Sequence, residues 1–500
     1  EARSRSHALI VQNGRVKLAT RGLWQSFSLA ILAAALRLPY LGQPHAVVFD
    51  ETYYVKDAWS LLNYGYERQA VEHADESMLA GSIDILKDQS SFVVHPPFGK
   101  WVIAAGEHLF GLNPFGWRIM GALLGVIAVI LVHRIARRLF KHELTAFLAG
   151  MFMAIDGMAI VHSRTALLDQ TLMFCVLAAF GAVVLDRDWM AARFMNGKEG
   201  VWWRPWLIVA ATFLALATAT KWSGLWFVVA CALLVLFFAG RNRIKAGHND
   251  PWIRAIVQDC LPWVPMLLIV LLGLYTASWW GWLSSAGGYD RTWAENNPGA
   301  GLTWLPDALR SLVEYHRAAW NFHVNLSSPH SYSANPWTWP FNLRPTSFYY
   351  ESFKTGDPGC LKEPCSAEVI PLGNPLIWWA GALAMLHQLW RALLHREQRA
   401  MAIVVMFLAG WAPWLLFQQR TVFSFYAIVL IPFISMALAG SIGVYIGTAE
   451  AGRLRTRRAA IAGAFTVATV ALSIFFYPLW TGEVISYQYW QLHMWLPTWI

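Results

Sequence analysis

Long apolar runs recur along the chain, and they limit its possible folds more than any other feature of the sequence. A membrane-spanning helix needs about 20 apolar residues, because the hydrocarbon core is about 30 Å thick and a helix rises about 1.5 Å per residue. The runs at residues 144–185 and 206–240 are too long for one span, and polar turns divide them at residues 162–165 and 220–224. We therefore predict about eleven transmembrane helices. Two lie in each of these runs, and the others lie near residues 23–41, 115–132, 261–282, 375–394, 400–417, 421–446 and 459–479.

The composition agrees with this class, since 57% of the residues are hydrophobic and 14% are charged. The net charge of +9 is spread over short clusters between the apolar runs, which argues against a nucleic-acid-binding patch. We find no repeat and no linker that would separate domains. The sequence thus predicts an all-α polytopic membrane protein, with residues 1–500 forming one membrane-embedded domain.

The positions of the basic clusters predict the topology. An N-terminus in the cytoplasm places residues 134–141, 241–245, 391–399 and 453–458 on the cytoplasmic side, as the positive-inside rule requires. The first loop, residues 42–114, the large loop, residues 283–374, and the C-terminal tail are then external. Residues 1–21 resemble the start of a signal peptide, but we expect the first helix to be retained. We predict a multi-pass plasma-membrane protein with its active site on the external face.

Two adjacent carboxylates, Asp50 and Glu51, follow the first apolar run directly. One interpretation is an N-capped helix in the interface, because Asp is a favoured cap and Tyr54, Ala58 and Leu61 follow at helical spacing. The other is a catalytic pair within reach of a lipid headgroup. The second interpretation gains support from the basic residues predicted on the same face.

Those basic residues are Arg37, Arg118, Arg164 and Lys221. Each one alone is explained as an interface anchor or a charged turn residue. Ionised groups at membrane depth are costly and usually functional, so four of them beside two carboxylates indicate a phosphate site. Asp169, five residues after Arg164, either pairs with that arginine or takes part in catalysis.

Other polar and aromatic groups on the external side are weaker candidates. His95 precedes two prolines, so it either belongs to a rigid corner or hydrogen-bonds a substrate. Trp337 and Trp339 lie in a segment where rings alternate with hydroxyl and amide groups, which suits either an aromatic belt or a sugar surface. Cys360 and Cys365 are candidates for a disulfide if their loop faces an oxidising compartment, or else they are two thiols.

Nucleotide chemistry finds no support. Asp186-Arg187-Asp188 matches a D-x-D pattern, but it falls in a short loop predicted to be cytoplasmic, and no Gly-rich phosphate loop occurs. Adjacent carboxylates, even with His95, do not complete the coordination shell of a hard cation. We expect metal-independent chemistry with no required cofactor.

Six motifs together carry a family resemblance: Phe49-Asp50-Glu51, His95-Pro96-Pro97-Phe98-Gly99-Lys100, Trp117-Arg118-Ile119, Arg164-Thr165-Ala166-Leu167-Leu168-Asp169, Thr220-Lys221-Trp222-Ser223-Gly224-Leu225 and Trp337-Thr338-Trp339-Pro340. In this order, over nearly the whole chain, they resemble the protein O-mannosyltransferases. The 283–374 loop is too short for the β-trefoil domain of eukaryotic members, so the chain is similar to the bacterial type.

The resemblance implies a GT-C fold and inverting transfer of mannose from a polyprenyl-phosphate-mannose lipid to Ser or Thr hydroxyls of translocating proteins. It implies Asp50 as general base, Glu51 as its partner in positioning acceptor or sugar, and Arg37 and Arg118 as essential arginines. An accessory partner such as the secretion machinery is also expected. Two alternatives stay open: a GT-C transferase with lipid or glycan acceptors, and a lipid or solute transporter. Transporters tend to carry ionisable groups at the midplane, whereas these charges gather at one face.

Overall fold

The computed structural model describes residues 2–197, 203–361, 363–447 and 452–500, the first eighteen of them by backbone alone. Within these residues α-helices dominate, at Ala2–Arg37, Glu51–Tyr64, Ala74–Leu79, Phe98–Phe110, Pro114–Phe140, Glu143–Ile155, Gly157–Arg164, Leu168–Met195, Pro205–Thr218, Gly224–Lys245, Pro251–Arg254, Val264–Ser278, Trp280–Ser284, Trp293–Asn296, Asp307–Asn325, Pro375–Leu393, Gln398–Trp411, Ile431–Ile446, Arg453–Thr481 and Tyr487–His493. A π-helical segment spans Ala255–Cys260, and 3-10 segments span Leu261–Trp263, Pro336–Phe341, Ala412–Leu416, Ser424–Leu430 and Pro497–Trp499.

Helices occupy every position where the apolar runs predict a span. By length and hydropathy, seven helices of the described part qualify as membrane-crossing, or eight if Glu143–Ile155 and Gly157–Arg164, bent by 55°, count as one. The predicted total of eleven stays a prediction. Two spans form the centre of the bundle, Leu168–Met195 and Ser424–Ile446, with 83% and 78% of their apolar windows buried inside the protein.

Two small antiparallel sheets were not predicted from the sequence. Arg68–Ala70 pairs with Leu86–Ser90 in the first loop, while Cys365–Val369 lies between Tyr349–Phe353 and Ile485–Ser486. All five residues of the central strand are buried, and the second sheet joins the large loop to the C-terminal tail. Strands this short carry too few residues for their alternation to stand out beside long apolar helices.

The basic clusters come together at one end of the bundle. Arg138 pairs with Asp188 at 3.3 Å, and the Arg399 guanidinium lies 5.8 Å from the centre of the Phe140 ring. The Asn242 amide donates to the carbonyl of Arg187 at 3.1 Å. The candidate site described next lies at the opposite ends of these helices.

The amphipathic helix Asp307–Asn325 covers the first loop at the site end of the bundle. Its Tyr315 hydroxyl donates to the Val93 carbonyl at 2.8 Å and accepts from the Val93 amide at 3.0 Å. The Nε2 atom of His323 lies 2.9 Å from the Val94 carbonyl. These bonds fix the stretch that leads into the His95-Pro96-Pro97 corner.

Candidate active site

Glu51 is fully buried, and its carboxylate is saturated by the protein itself. Arg118 donates from Nε to Oε1 and from Nη2 to Oε2, both at 2.9 Å. The backbone amide of Val48 adds a bond of 3.0 Å and that of Ala166 one of 2.9 Å. Four donors occupy the four acceptor directions of a carboxylate, so Glu51 links the Arg118 helix to two separate stretches of backbone.

The remaining donors of Arg118 fix the connection that precedes Asp50. Its Nη1 donates to the carbonyls of Leu41 at 3.3 Å and Pro44 at 3.0 Å, and its Nη2 to that of Ala46 at 2.8 Å. With the two bonds to Glu51, all five N–H groups of the guanidinium are used. This arrangement leaves no N–H group of Arg118 for a lipid phosphate and favours a structural role, while the donor-binding role stays a prediction.

Arg164 forms hydrogen bonds with the first half of the connection between the first helix and Asp50. Its guanidinium donates to the carbonyls of Arg37 at 2.9 Å, Pro39 at 2.8 Å and Tyr40 at 3.0 Å. Tyr40 has a positive φ of 50°, a conformation that needs such support outside glycine. Arg164 therefore also acts on the backbone rather than facing a ligand.

Arg37 compensates for the break between Glu143–Ile155 and Gly157–Arg164. It donates to the carbonyls of Ala154 at 2.9 Å and Met153 at 3.3 Å, which lie in the last turn before the break. Its Nε donates to the Ser163 hydroxyl at 3.2 Å. Carbonyls at a helix end have no hydrogen-bond donors within their own helix. Arg37, which belongs to another helix, provides these donors. Arg37 therefore caps this helix end, and its phosphate-binding role stays a prediction.

Asp50, in contrast, keeps most of its hydrogen-bonding capacity. Its side chain does not cap the helix that starts at Glu51. Its one side-chain hydrogen bond within the described part of the chain comes from the Tyr54 hydroxyl, which donates at 3.4 Å. The burial of this carboxylate raises its pKa to about 6, with Lys221 opposing and Asp169 adding to the shift. At neutral pH the group is still ionised, which suits a general base.

Asp169 pairs with Lys221, at 2.7 Å between Oδ2 and Nζ, and both side chains are buried. The predicted pair of Arg164 with Asp169 is wrong. The chain is extended at Thr165 and Leu167 between two helices, which directs the two side chains to different neighbours. The Lys221 ammonium also lies 5.0 Å from the centre of the Tyr426 ring.

A cavity of about 580 Å³ opens beside these groups. At its polar end lie His95, Asp169, Lys221, His323 and Arg420. Its remaining wall is mostly apolar and aromatic and comes from the helices around it: Leu172, Leu225, Trp226, Phe227, Leu271, Leu272, Pro413, Phe417 and Val429. This lining suits a ligand with a charged head and a long apolar tail.

Arg420 and His323 were missed in the sequence. Arg420 donates from Nε to the His323 carbonyl at 3.1 Å, and its Nη2 lies 3.4 Å from Nδ1 of His323. Because His323 Nε2 faces the Val94 carbonyl, that nitrogen holds the proton and Nδ1 accepts. Both residues stand alone in loop or amphipathic segments, so no spacing pattern marks them.

Two family models match most of this chain. The dolichyl-phosphate-mannose-protein mannosyltransferase model matches residues 27–276, and the model of the C-terminal four TMM region of protein-O-mannosyltransferase matches residues 308–499. The chain belongs to the protein O-mannosyltransferase family. A polyprenol-phosphate-mannose–protein mannosyltransferase of Mycobacterium tuberculosis is 34% identical over 490 residues, covering 94% of this chain and 90% of the relative. The corresponding protein of Mycolicibacterium smegmatis is 35% identical over 492 residues, covering 94% and 91%.

Solved structures confirm the fold expected for a protein O-mannosyltransferase. The S. cerevisiae Pmt1-Pmt2 complex bound to the sugar donor matches with a TM-score of 0.69 at 15% identity, covering 96% of this chain and 92% of that one. The Archaeoglobus fulgidus oligosaccharyltransferase matches with a TM-score of 0.51 at 15% identity, covering 95% and 57%. At this identity the likeness shows the fold alone. The prediction of a GT-C membrane glycosyltransferase of this family is confirmed.

Trp337 and Trp339 do not line the cavity of this family member. Trp339 is buried, donates from its indole to the Ala334 carbonyl at 3.0 Å and packs against Trp414 and Tyr426, which do line it. Trp337 is 54% exposed. Trp339 thus supports the cavity wall from behind, and the structure gives neither residue a place in the cavity.

The two cysteines of the large loop are joined, with Cys360 bonded to Cys365 at the start of the central strand of the second sheet. No group of three His, Cys, Asp or Glu side chains suited to a metal ion occurs among the described residues of this mannosyltransferase family member. Asp50 and Glu51 do not share a cation site, because Arg118 and two amides occupy Glu51. Metal independence stays a prediction.

The D-x-D triplet takes part in ion pairs at the opposite end of the bundle. Asp186 is buried against Arg204, while Asp188 lies near Arg138 and 2.7 Å from Arg187. The Arg243 guanidinium pairs with Asp259 close by. These bonds tie helix ends together, which agrees with setting the nucleotide interpretation aside.

Proposed function

We propose that the chain transfers mannose from a polyprenyl-phosphate-mannose lipid to Ser or Thr hydroxyls of polypeptides, with inversion at the anomeric carbon. The observation that carries this proposal is the Asp50 carboxylate, which is nearly free of hydrogen bonds among the described residues and lies within electrostatic reach of Lys221, a residue that lines the polar end of the cavity. The names of the mycobacterial relatives support the donor and the protein acceptor class.

The charges of the site fit the two halves of this reaction. Asp50 accepts the hydroxyl proton as the acceptor oxygen attacks C1 of the sugar. The bond from C1 to the phosphate oxygen breaks, and the lipid phosphate leaves with the electron pair. Lys221 and Arg420 stabilise the charge that develops on that phosphate, because both line the polar end. The polyprenyl tail occupies the apolar part of the cavity.

The other charged residues of the site hold Asp50 and Lys221 in position. Glu51, Arg118 and Arg164 hold the chain leading to Asp50, so that the base is fixed before substrates arrive. Asp169 orients Lys221 through the 2.7 Å bond. Two cations at the polar end support transfer without a metal, and we expect activity to survive chelation by EDTA.

We further propose that the site faces the outside of the plasma membrane and that the N-terminus is cytoplasmic. The clustering of basic residues at the other end of the bundle supports this orientation, as does the disulfide in the large loop. A polypeptide emerging from the secretion translocon is the acceptor that such a site would meet.

The decisive experiment uses the full chain in lipid nanodiscs with polyprenyl-phosphate mannose and a Ser/Thr peptide. Wild type should add one mannose, detected by mass, in the anomeric configuration opposite to that of the donor. Asp50→Asn should lose about 100-fold or more in rate, as for loss of a general base, while staying folded. Asp84→Asn, an exposed carboxylate of the same loop, is the control and should keep full rate.

Transfer to lipid or glycan acceptors with none to peptides would refute the protein acceptor. An Asp50→Asn variant with wild-type rate would remove Asp50 as the base. Retention of the donor configuration in the product would contradict direct displacement.

A further inference from the structure

His95 lines the cavity, and the proposed reaction leaves it without a task. Its Nδ1 is buried and has no hydrogen-bond partner among the described residues. A buried polar atom without a partner is costly, so such an atom in a substrate cavity indicates a ligand group that completes it. Its ring centre lies 5.2 Å from that of His323 and 6.3 Å from that of Tyr54.

The position of His95 is set in advance by the chain around it. Val93 is bonded through both backbone groups to the Tyr315 hydroxyl, and the Val94 carbonyl is bonded to His323. Two prolines follow immediately and fix the backbone on the other side. The imidazole is therefore held in place without the help of a side-chain hydrogen bond of its own.

Burial favours the neutral form of the His95 imidazole. Burial lowers the pKa of His95 well below its usual 6.5, and the positive charges of Lys221, Lys100 and Arg420 lower it further. A neutral ring nitrogen pairs well with a hydroxyl group, which donates or accepts as the tautomer requires. The charged phosphate binds better to the cationic side chains of Lys221 and Arg420 than to a neutral ring.

His95 also lies between the two ends of the reaction. On one side it approaches Tyr54, whose hydroxyl contacts Asp50, and on the other His323, which contacts Arg420. The sugar must occupy this interval, because C1 is bonded to the phosphate and faces the oxygen that Asp50 deprotonates. We propose that His95 Nδ1 hydrogen-bonds a hydroxyl of the transferred sugar and so distinguishes the sugar-bearing lipid from the bare lipid phosphate. This inference rests on the proposed function.

The test measures lipid binding in nanodiscs without acceptor peptide, using polyprenyl-phosphate mannose and polyprenyl phosphate as probes. His95→Phe keeps a ring and removes both nitrogens, and we expect about tenfold weaker binding of the mannosyl lipid with unchanged binding of polyprenyl phosphate. His95→Asn places an amide near the Nδ1 position and should recover most of the loss. His108→Phe, an exposed histidine on the helix after the corner, is the matched control.

Equal loss for both lipids, or no loss for either, would overturn the inference. If His95→Phe does not fold, wild type is titrated with mannosyl lipids lacking one hydroxyl each. One of these should bind about tenfold more weakly, and full affinity for every analogue would overturn the proposal. Removing that hydroxyl from the lipid should reduce its affinity for the folded His95→Asn variant less than it reduces its affinity for wild type.

The outcomes separate the two proposals. Wild type that prefers the mannosyl lipid yet transfers nothing to peptide would refute the proposed function and leave the role of His95 intact. Wild type that mannosylates peptide, with a His95→Phe variant that retains the preference, would overturn the role of His95 alone.

Discussion

Glu51 and Arg118 form a buried bidentate ion pair, with both bonds at 2.9 Å, although the neighbouring Asp50 has one side-chain hydrogen bond, of 3.4 Å, to the residues that the structure describes. Two neighbouring carboxylates thus have different tasks. Removing one partner of a buried pair leaves an uncompensated charge, which typically costs about 3–5 kcal/mol. Removing the charge of Asp50 affects only the long hydrogen bond from Tyr54 among the described contacts of its side chain.

We therefore expect Glu51→Gln to lower the apparent unfolding temperature in detergent and the yield of folded protein, whereas Asp50→Asn should match wild type in both. Thermal unfolding followed by tryptophan fluorescence measures this difference. Equal stability of the two variants would contradict the positioning role of Glu51.

The pKa of Asp50 predicts an acid limb in the rate profile. Burial raises this pKa to about 6 in the folded protein, and the base must be ionised. The value of kcat/KM should therefore be level above about pH 7 and fall about tenfold per pH unit below 6. Burial lowers the pKa of His95 well below its usual 6.5, in the direction opposite to the shift of Asp50. A limb centred near pH 4 would argue against Asp50.

Donor binding should depend on Lys221 and Arg420 rather than on Arg118. We expect Lys221→Gln and Arg420→Gln each to weaken polyprenyl phosphate binding about tenfold or more, as hydrogen bonds to charged groups contribute about 1.5–3 kcal/mol. Arg317→Gln, on the amphipathic helix with its side chain 73% exposed, is the control and should bind normally. Loss of phosphate affinity in folded Arg118→Gln, with normal binding by the other two variants, would restore the role predicted from the sequence.

The D-x-D triplet should matter for stability alone. Asp186→Asn leaves the buried Arg204 without its charge partner, so a loss of about 3 kcal/mol or more is expected. Asp188→Asn changes a half-exposed pair and should stay near wild type. Activity per folded molecule should be unchanged in both, measured on protein purified by size exclusion. Activation of wild type by Mn²⁺ that Asp188→Asn abolishes would revive a nucleotide site.

Sequence periodicity predicts the helices well, because each long apolar run has essentially one stable form in a bilayer. The sequence also singles out Asp50 as a candidate, because two adjacent carboxylates just outside a span are conspicuous. The partner of Glu51 was not predictable from spacing, because Arg118 lies 67 residues away and resembles any interface anchor. Arg420 and His323 reach the cavity only through the folding of separate loops.

The bonds from Arg37 to the carbonyls of Met153 and Ala154 bear on how the chain enters the membrane. A lone arginine in lipid is costly, and so are the exposed carbonyls of a broken helix. The two segments lie more than a hundred residues apart in the sequence, so the first is synthesised well before the second. We expect the first helix to stay beside the insertion machinery until the bent helix arrives, so that both move into lipid together.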